Sequence, residues 1–232
     1  MPRVDEKNET VRHDRHTAAV AATALLVTLW VGIPWVASVA AAAPLLWRVH
    51  RRGEPLRPGL VWRWTATVFA LGTAMAALAS ERAMRAIASG AWAREGAAAW
   101  IGGTGDAFPS VVAMLLATAL FAVAIIATRG MAAPILLAEL ILSSATAASV
   151  VYAHALNMFS ATVVAVPVWS ITLIAGWCMA LSAMARWTPR HALAPDTRRR
   201  AWMGLGLIVL ALALRLAASP AVTRLVQQLT VP

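Results

Sequence analysis

The sequence predicts an all-α polytopic membrane helix bundle of about six transmembrane helices, or seven if residues 17–47 form a hairpin. Three observations predict it. First, between Arg129 and Arg186 lie 56 residues with one formal charge, Glu139. That is room for two helical crossings, since a hydrocarbon core of ~30 Å takes about 20 apolar residues per helix. Second, the 232 residues are 60% hydrophobic and only 13% charged, where soluble domains carry about 25% charged residues. Third, the arginines gather in short stretches beside apolar runs, the pattern that orients a membrane protein.

Composition also removes function classes. The net charge of +10 comes with no helix-turn-helix, zinc or aromatic-platform pattern, which argues against nucleic acid. Arginine outnumbers lysine 19 to 1, a bias of GC-rich genomes rather than of mechanism. The single cysteine, Cys178, excludes a disulfide within the chain and a thiolate metal cluster. It lies in an apolar run and reads as a small buried hydrophobe.

Residues 1–16 mix both charge signs and read as a short disordered tail. The bundle proper covers 17–219, and 220–232 is a short C-terminal tail. The first apolar run, 17–47, carries no charge. It is long for one span and short for two. Gly32 and Pro34 sit mid-run, where proline removes a helix hydrogen bond. One long kinked helix is favoured, with a tight hairpin at Gly32–Pro34 as the alternative. A cleaved signal peptide ending near Ser38-Val39-Ala40 is a third reading, but the run exceeds the usual 7–15 apolar residues.

The second span is 59–80, with Trp62 and Trp64 at its start, where aromatic residues favour the interface. Gly72 and Ala76 form a small-xxx-small pair suited to close helix packing. Residues 81–106 are the longest hydrophilic connection and read as a partly helical surface loop broken at Gly102-Gly103-Thr104-Gly105. No Lys-Ser/Thr follows that glycine run, so it is a turn and not a P-loop. The third span is 108–128, with Pro109 in its first turn, where proline is tolerated. Arg129-Gly130 turns into the fourth span, 131–153. Residues 154–160 lead to the fifth, 161–185. A basic loop, 186–200, precedes the sixth, 201–219, ended by Ser219-Pro220. Trp47, Trp62, Trp64, Trp187 and Trp202 are expected at the inner boundary, Trp92 and Trp100 in the outer loop. Trp30, Trp35, Trp169 and Trp177 are expected in packing.

With six alternating helices, the 48–58 loop, the 129–130 turn and the 186–200 loop share one side. The cationic totals of the two sides are nearly equal, but the dense clusters beside spans lie in 48–58 and 186–200. Charge near helix ends sets orientation, so these loops are placed in the cytoplasm and both termini outside. The expected location is a bacterial cytoplasmic membrane, with the lipid bilayer itself as the first partner.

Glu139 is the leading candidate for a site. It lies about 12 Å into the fourth span at 1.5 Å per residue. An acid at that depth costs ~2.5–3.5 kcal/mol on insertion scales, so it faces the bundle interior or water, or is protonated. Ser143 and Thr146 fall on its face at i+4 and i+7, and His154 and Asn157 extend the same stripe. Two readings stand: a proton- or cation-linked pathway, or a polar strip that holds helices together. No second acid lies within the membrane. Arg215, about 21 Å into the sixth span, either snorkels to the outer interface or pairs with Asp106 or Glu81. His154 is the only histidine near a span, which disfavours haem and zinc, so no cofactor or metal is expected. Ser143, Ser144 and Ser160 lack a nucleophile-elbow context, which disfavours enzymatic activity. Pro34, Pro134 and Pro167 read as hinges or kinks, and no internal repeat is visible.

The order of features then supports a resemblance. A span ends in Leu46-Trp47-Arg48 before an Arg/Pro loop. A span, a polar outer loop, two further spans and an apolar connection follow. A span ending in Arg186 precedes a basic loop, whose Arg198-Arg199-Arg200 leads into a span with Gly204 and Gly206. Over about 40–220 this resembles the membrane half of a family of bacterial multi-pass membrane proteins assigned as transporters. Members carry a cytoplasmic C-terminal domain, whereas this chain ends at Pro232, and no functional residue carries over. The expected functions are thus a small transporter-like protein with a seam at Glu139, Ser143 and Thr146, or a non-enzymatic membrane subunit or scaffold. The second would recruit a membrane protein partner through its arginine loops.

Overall fold

The computed structural model describes residues 16, 19–28, 30–52, 58–78, 80–102, 111–128, 131–154, 168–184 and 195–229. The expected N-terminal tail before His16, Asp106, Asn157 and Trp187 lie outside the described residues. Among the described residues every regular element is an α-helix. They are α1 (Ala19–Thr28), α2 (Val36–Arg52), α3 (Pro58–Leu78), α4 (Ser80–Ala86), α5 (Gly90–Ile101), α6 (Val111–Ala127), α7 (Ala132–His154), α8 (Val168–Met184) and α9 (Pro195–Leu229).

The apolar run 17–47 is not one bent helix. Gly32 N–H closes α1 on the Thr28 carbonyl at 3.2 Å, and Val36 N–H turns back to the Ile33 carbonyl at 3.3 Å. Both ends of this turn are left-handed: Gly32 has φ 71° and Trp35 φ 67°. A left-handed residue stops a right-handed helix, so the run is two helices separated at Gly32–Trp35. Ser38 lies inside α2 and is fully buried.

Helix α7 is the centre of the bundle. Its sequence is apolar all round, as a helix packed on several faces should be, and α2, α3, α5, α6 and α8 all pack against it. On α3, a Cβ at Gly72 would come within 2.9 Å of Leu142 Cδ2 and 3.0 Å of Ala145 Cβ. The small-residue pair noted in the sequence therefore marks a real close crossing. Further along, Ala76 and Ala77 share a cavity wall with Thr146, Ser149 and Val150. Increasing numbers on α3 meet increasing numbers on α7, so the two helices run in the same sense.

Of the segment expected as a surface loop, 81–106, the described part, 81–102, is instead packed. Helix α4, a turn at Ile87–Ser89 and α5 form a helical hairpin against α7, burying Ala86, Ile87, Gly90, Ala93, Ala97, Trp100 and Ile101. On α5 the buried positions recur every three or four residues, one face of a helix. Arg94 and Glu95 are exposed.

Helices α8 and α9 cross backbone to backbone. A Cβ on Gly176 would meet the Gly204 carbonyl at 2.9 Å, and one on Gly204 would meet the Gly176 carbonyl at 2.8 Å. Helix α9 begins with Pro195 and Asp196 in its first turn, which suits proline and complements the helix dipole. It does not end at Ser219-Pro220 but runs through Pro220 to Leu229. Contacts beyond the proline hold it: Trp100 Nε1–H donates to Thr223 Oγ1 at 3.0 Å, and Val222 packs beside Trp100 and Ile101.

Two helices, Ala132–His154 and Arg198–Ala218, are long and apolar enough to cross a membrane. The outward faces are rich in large apolar side chains, among them Trp30, Leu78, Leu116, Leu120, Val123, Trp202, Val209 and Leu216. Inside lie Ser38, Arg48, Thr65, Glu139, Thr146, Ser149 and Arg215. Tryptophan placement differs from expectation in part. Trp64 is fully buried and donates Nε1–H to the Ala41 carbonyl at 2.8 Å. Trp30 and Trp35 are exposed rather than packed, while Trp47, Trp62, Trp92 and Trp202 are exposed and Trp169 and Trp177 buried.

Candidate functional site

Glu139 reaches into the bundle from the first half of α7 and is 5% exposed. Its carboxylate gathers three donors from two other elements. Ser38 Oγ–H, on α2, donates to Oε2. Ser89, in the α4–α5 turn, donates its backbone N–H to Oε1 at 2.9 Å and its hydroxyl to the same oxygen at 2.7 Å. Both oxygens of the carboxyl group thus take part in hydrogen bonds.

The local sequence explains why Ser89 can serve. It occupies the N-cap position of α5 with φ −93° and ψ 6°, yet its side chain makes no capping bond. Helix N-caps normally spend the serine hydroxyl on the first turn's N–H groups. Here that hydroxyl is turned to Glu139 instead. The carboxylate thus ties α2, the α4–α5 turn and α7 together at one point.

The expected seam does not continue from Glu139 as one site. Ser143 is half-buried on the next turn. Thr146 Oγ1–H donates back to the Leu142 carbonyl at 2.9 Å, and Ser149 Oγ–H to the Thr146 carbonyl at 2.7 Å. His154 Nδ1–H donates to the Val150 carbonyl at 2.8 Å. A carbonyl only accepts, so this bond places a ring proton on Nδ1. Arg215 is 4% exposed. Its side chain is buried within the bundle. Glu81 points outward beside Arg85, 4.0 Å away.

Two of the expected residues do come together. Thr146 and His154 line a cavity of about 460 Å³ between α3, α5 and the second half of α7. Its other walls are Ala76, Ala77, Arg94, Ala98, Ser149, Val150, Tyr152 and Ala153. Glu139, Ser143 and Arg215 do not line it. Thr146 is seven residues from Glu139, about 10 Å along the helix, so the cavity begins two turns beyond the carboxylate. Among the described residues no three His, Cys, Asp or Glu side chains converge as metal ligands.

Sequence reasoning missed Ser38, Ser89, Ser149, Arg94 and Tyr152. Ser149 had a usable signal, since it falls at i+3 from Thr146 on the same face. Ser89 before Gly90 marked a helix start, but nothing local pointed it at a residue 50 positions away. Comparisons with protein-family models, with curated proteins and with solved structures returned no match.

Proposed function

We propose that this chain is a multi-pass protein of a bacterial cytoplasmic membrane, acting as a non-enzymatic subunit or scaffold that recruits a membrane partner through its arginine-rich loops. The membrane reading is supported by the apolar outward faces, with ionisable Glu139 and Arg215 kept inside, an arrangement that suits lipid. It is supported also by the common sense of α3 and α7, which the second and fourth of alternating crossings require.

One observation carries the scaffold reading: the only acid between Arg129 and Arg186 is buried, accepts from Ser38 and Ser89, and is not among the residues that line the cavity beside Thr146. A coupling carboxylate has to exchange protons or ions with water. A carboxylate spent on three intramolecular donors holds helices in place. On the opposite end of α9 from Thr223, Arg198 and Arg199 are exposed and suited to contact a partner.

The test is affinity purification in mild detergent with paired variants. A single membrane partner co-purifies reproducibly, replacement of Arg198, Arg199 and Arg200 by Gln releases it, and Glu139→Gln leaves the complex intact. Proton-coupled flux in proteoliposomes that Glu139→Gln abolishes would overturn this reading in favour of a transporter-like protein. The transporter reading retains one favourable observation, the cavity that Thr146 and Ser149 help to line.

A further inference from the structure

The α4–α5 hairpin does not cross the bundle but dips into it and returns. Ser89 at its tip bonds Glu139, while Ala97, Trp100 and Ile101 pack beside Ala148, Val150 and Val151. Helix α5 therefore climbs α7 in the same sense. The last turn of α3 lies near the top of that climb, since Ala76 and Ala77 share a cavity wall with Thr146 and Val150. From Ala77 to Ser89 the chain thus runs back along α7 by at least the distance from Thr146 to Glu139, about 10 Å. Both ends of the hairpin lie toward His154, and its tip is about 22 Å below His154, at 1.5 Å per residue from Glu139. With α7 spanning the bilayer, that tip is more than halfway through a hydrocarbon core of ~30 Å.

A hairpin at this depth against lipid would turn apolar side chains outward. This one exposes Glu81, Arg82, Arg85, Arg94 and Glu95, and the Arg85 and Glu81 side chains are 69% and 83% exposed. A charge facing hydrocarbon costs ~2.5–3.5 kcal/mol near the centre of a span. On α9, by contrast, the exposed residues include Val209 and Leu216. The outer surface is therefore of two kinds, one suited to lipid and one to water. The cavity of about 460 Å³ lies on the second side: Arg94, Ala98, Ala153 and His154 line it and are exposed. It reaches down to Thr146, about 12 Å below His154.

We propose that α4–α5 is a re-entrant hairpin whose charged face lines a water-filled vestibule, open to the outer compartment and closed at its floor by the Glu139 clasp. The floor is packed, with Ala86 at 0%, Ile87 at 1% and Glu139 at 5% exposure. Irregular backbone at membrane depth is tolerated where protein buries it or water meets it. The turn before α5 fits, because Ser89 N–H is bonded to Glu139 and Gly90 N–H to the Ile87 carbonyl at 3.0 Å. The vestibule admits water and small polar solutes as far as the clasp and no further. It rests on the membrane reading above and not on the scaffold role.

Site-directed spin labelling of the full chain in lipid vesicles tests it, on a Cys178→Ala background. Single cysteines replace Arg85, Trp92, Glu95, Val209 and Leu216 in turn, all exposed positions, and thermal unfolding is measured for each. Collision with a water-soluble nickel chelate reports water, and collision with oxygen reports lipid. Leu216 is the depth-matched control for Trp92. Trp100 and Thr223 are bonded, Trp92 lies about 12 Å along α5 from the first, and Leu216 about 10 Å along α9 from the second. Arg85, Trp92 and Glu95 are expected to favour the chelate, Leu216 and Val209 oxygen. Oxygen preference at Arg85 and Trp92, or protection from both reagents, overturns the vestibule while the two α9 sites uphold the membrane reading. Chelate preference at Leu216 with oxygen preference at Val209 places the hairpin outside the bilayer and overturns the vestibule as well. Chelate preference at all five sites overturns the membrane reading itself.

Discussion

Ser89 donates both its backbone N–H and its hydroxyl to one oxygen of Glu139, at 2.9 and 2.7 Å. With Ser38 on the other oxygen, this makes Glu139 a clasp between three parts of the chain. The part it holds most visibly is the α4–α5 turn, whose adjoining helices carry five exposed arginine or glutamate side chains and an alanine-rich buried face.

The clasp predicts a difference between two substitutions. Glu139→Gln keeps an oxygen for Ser89 and offers an N–H to Ser38, whose hydroxyl can rotate to accept it. Glu139→Leu keeps the size but leaves the donors without an acceptor. The expected loss for Leu is ~1–3 kcal/mol, the desolvation cost of stranded buried donors, and less than half of that for Gln. Thermal unfolding in detergent reads both. Equal melting temperatures for the Leu variant and the wild type would remove the clasp from the account.

Ser38 and Ser89 act on the same carboxylate, so their effects should not add. Ser38→Ala and Ser89→Ala are each expected to cost ~0.5–1.5 kcal/mol. The double variant should differ from their sum by at least ~0.5 kcal/mol, because both deletions perturb one shared group. A sum that holds within a few tenths of a kcal/mol would mean that the two serines work independently.

The α8–α9 crossing gives a sharper contrast among glycines. Gly176 and Gly204 each face the other's carbonyl at under 3 Å from an added Cβ, whereas nothing lies within 4 Å of one on Gly206. Gly204→Ala must push two backbones apart and is expected to cost ~1–3 kcal/mol, as overpacking does. Gly206→Ala meets open space and gains helix propensity, up to ~1 kcal/mol. The two melting temperatures should therefore move in opposite directions.

How much of this was legible in the sequence depends on the range of the physics involved. Helical class, the apolar centre at Ala132–His154 and the close approach at Gly72 follow from local composition and spacing. The burial of α5 was readable from Gly90, Ala93, Ala97 and Trp100, but its charges drew attention from their period. The partners of Glu139 were not readable, because they lie 101 and 50 residues away in the chain. A face periodicity along α7 led to Ser143 and Thr146 because it sees only its own helix. The same limit hid the role of Trp64, taken as an interfacial marker but bonded to Ala41 across a buried contact.

Trp64 is accordingly predicted to matter as a packed hydrogen-bonded residue rather than as an anchor. Trp64→Phe removes the Nε1 donor and leaves the Ala41 carbonyl without that bond, at ~1–3 kcal/mol. Trp62→Phe, at an exposed neighbour, should change the melting temperature little. If the two variants melt together, the buried bond contributes nothing measurable.

The last prediction concerns orientation, and Cys178 makes it practical. As the sole cysteine, 2% exposed and 3.5 Å from Thr65 Oγ1, it should resist a membrane-impermeant maleimide in the folded protein. Cys178→Ala then provides a silent background for single cysteines at exposed sites. Trp92 on α5 and Arg199 at the start of α9 are both exposed, and Trp100 on α5 bonds Thr223, some 24 residues and about 36 Å along α9 from Arg199. In the proposed membrane orientation those two positions face opposite compartments. Trp92→Cys should label in intact cells, and Arg199→Cys only after permeabilisation, because dense arginine clusters beside spans stay in the cytoplasm. Labelling of both from one side would contradict a membrane crossing by α9, and the reverse order would invert the assignment of the arginine loops to the cytoplasm.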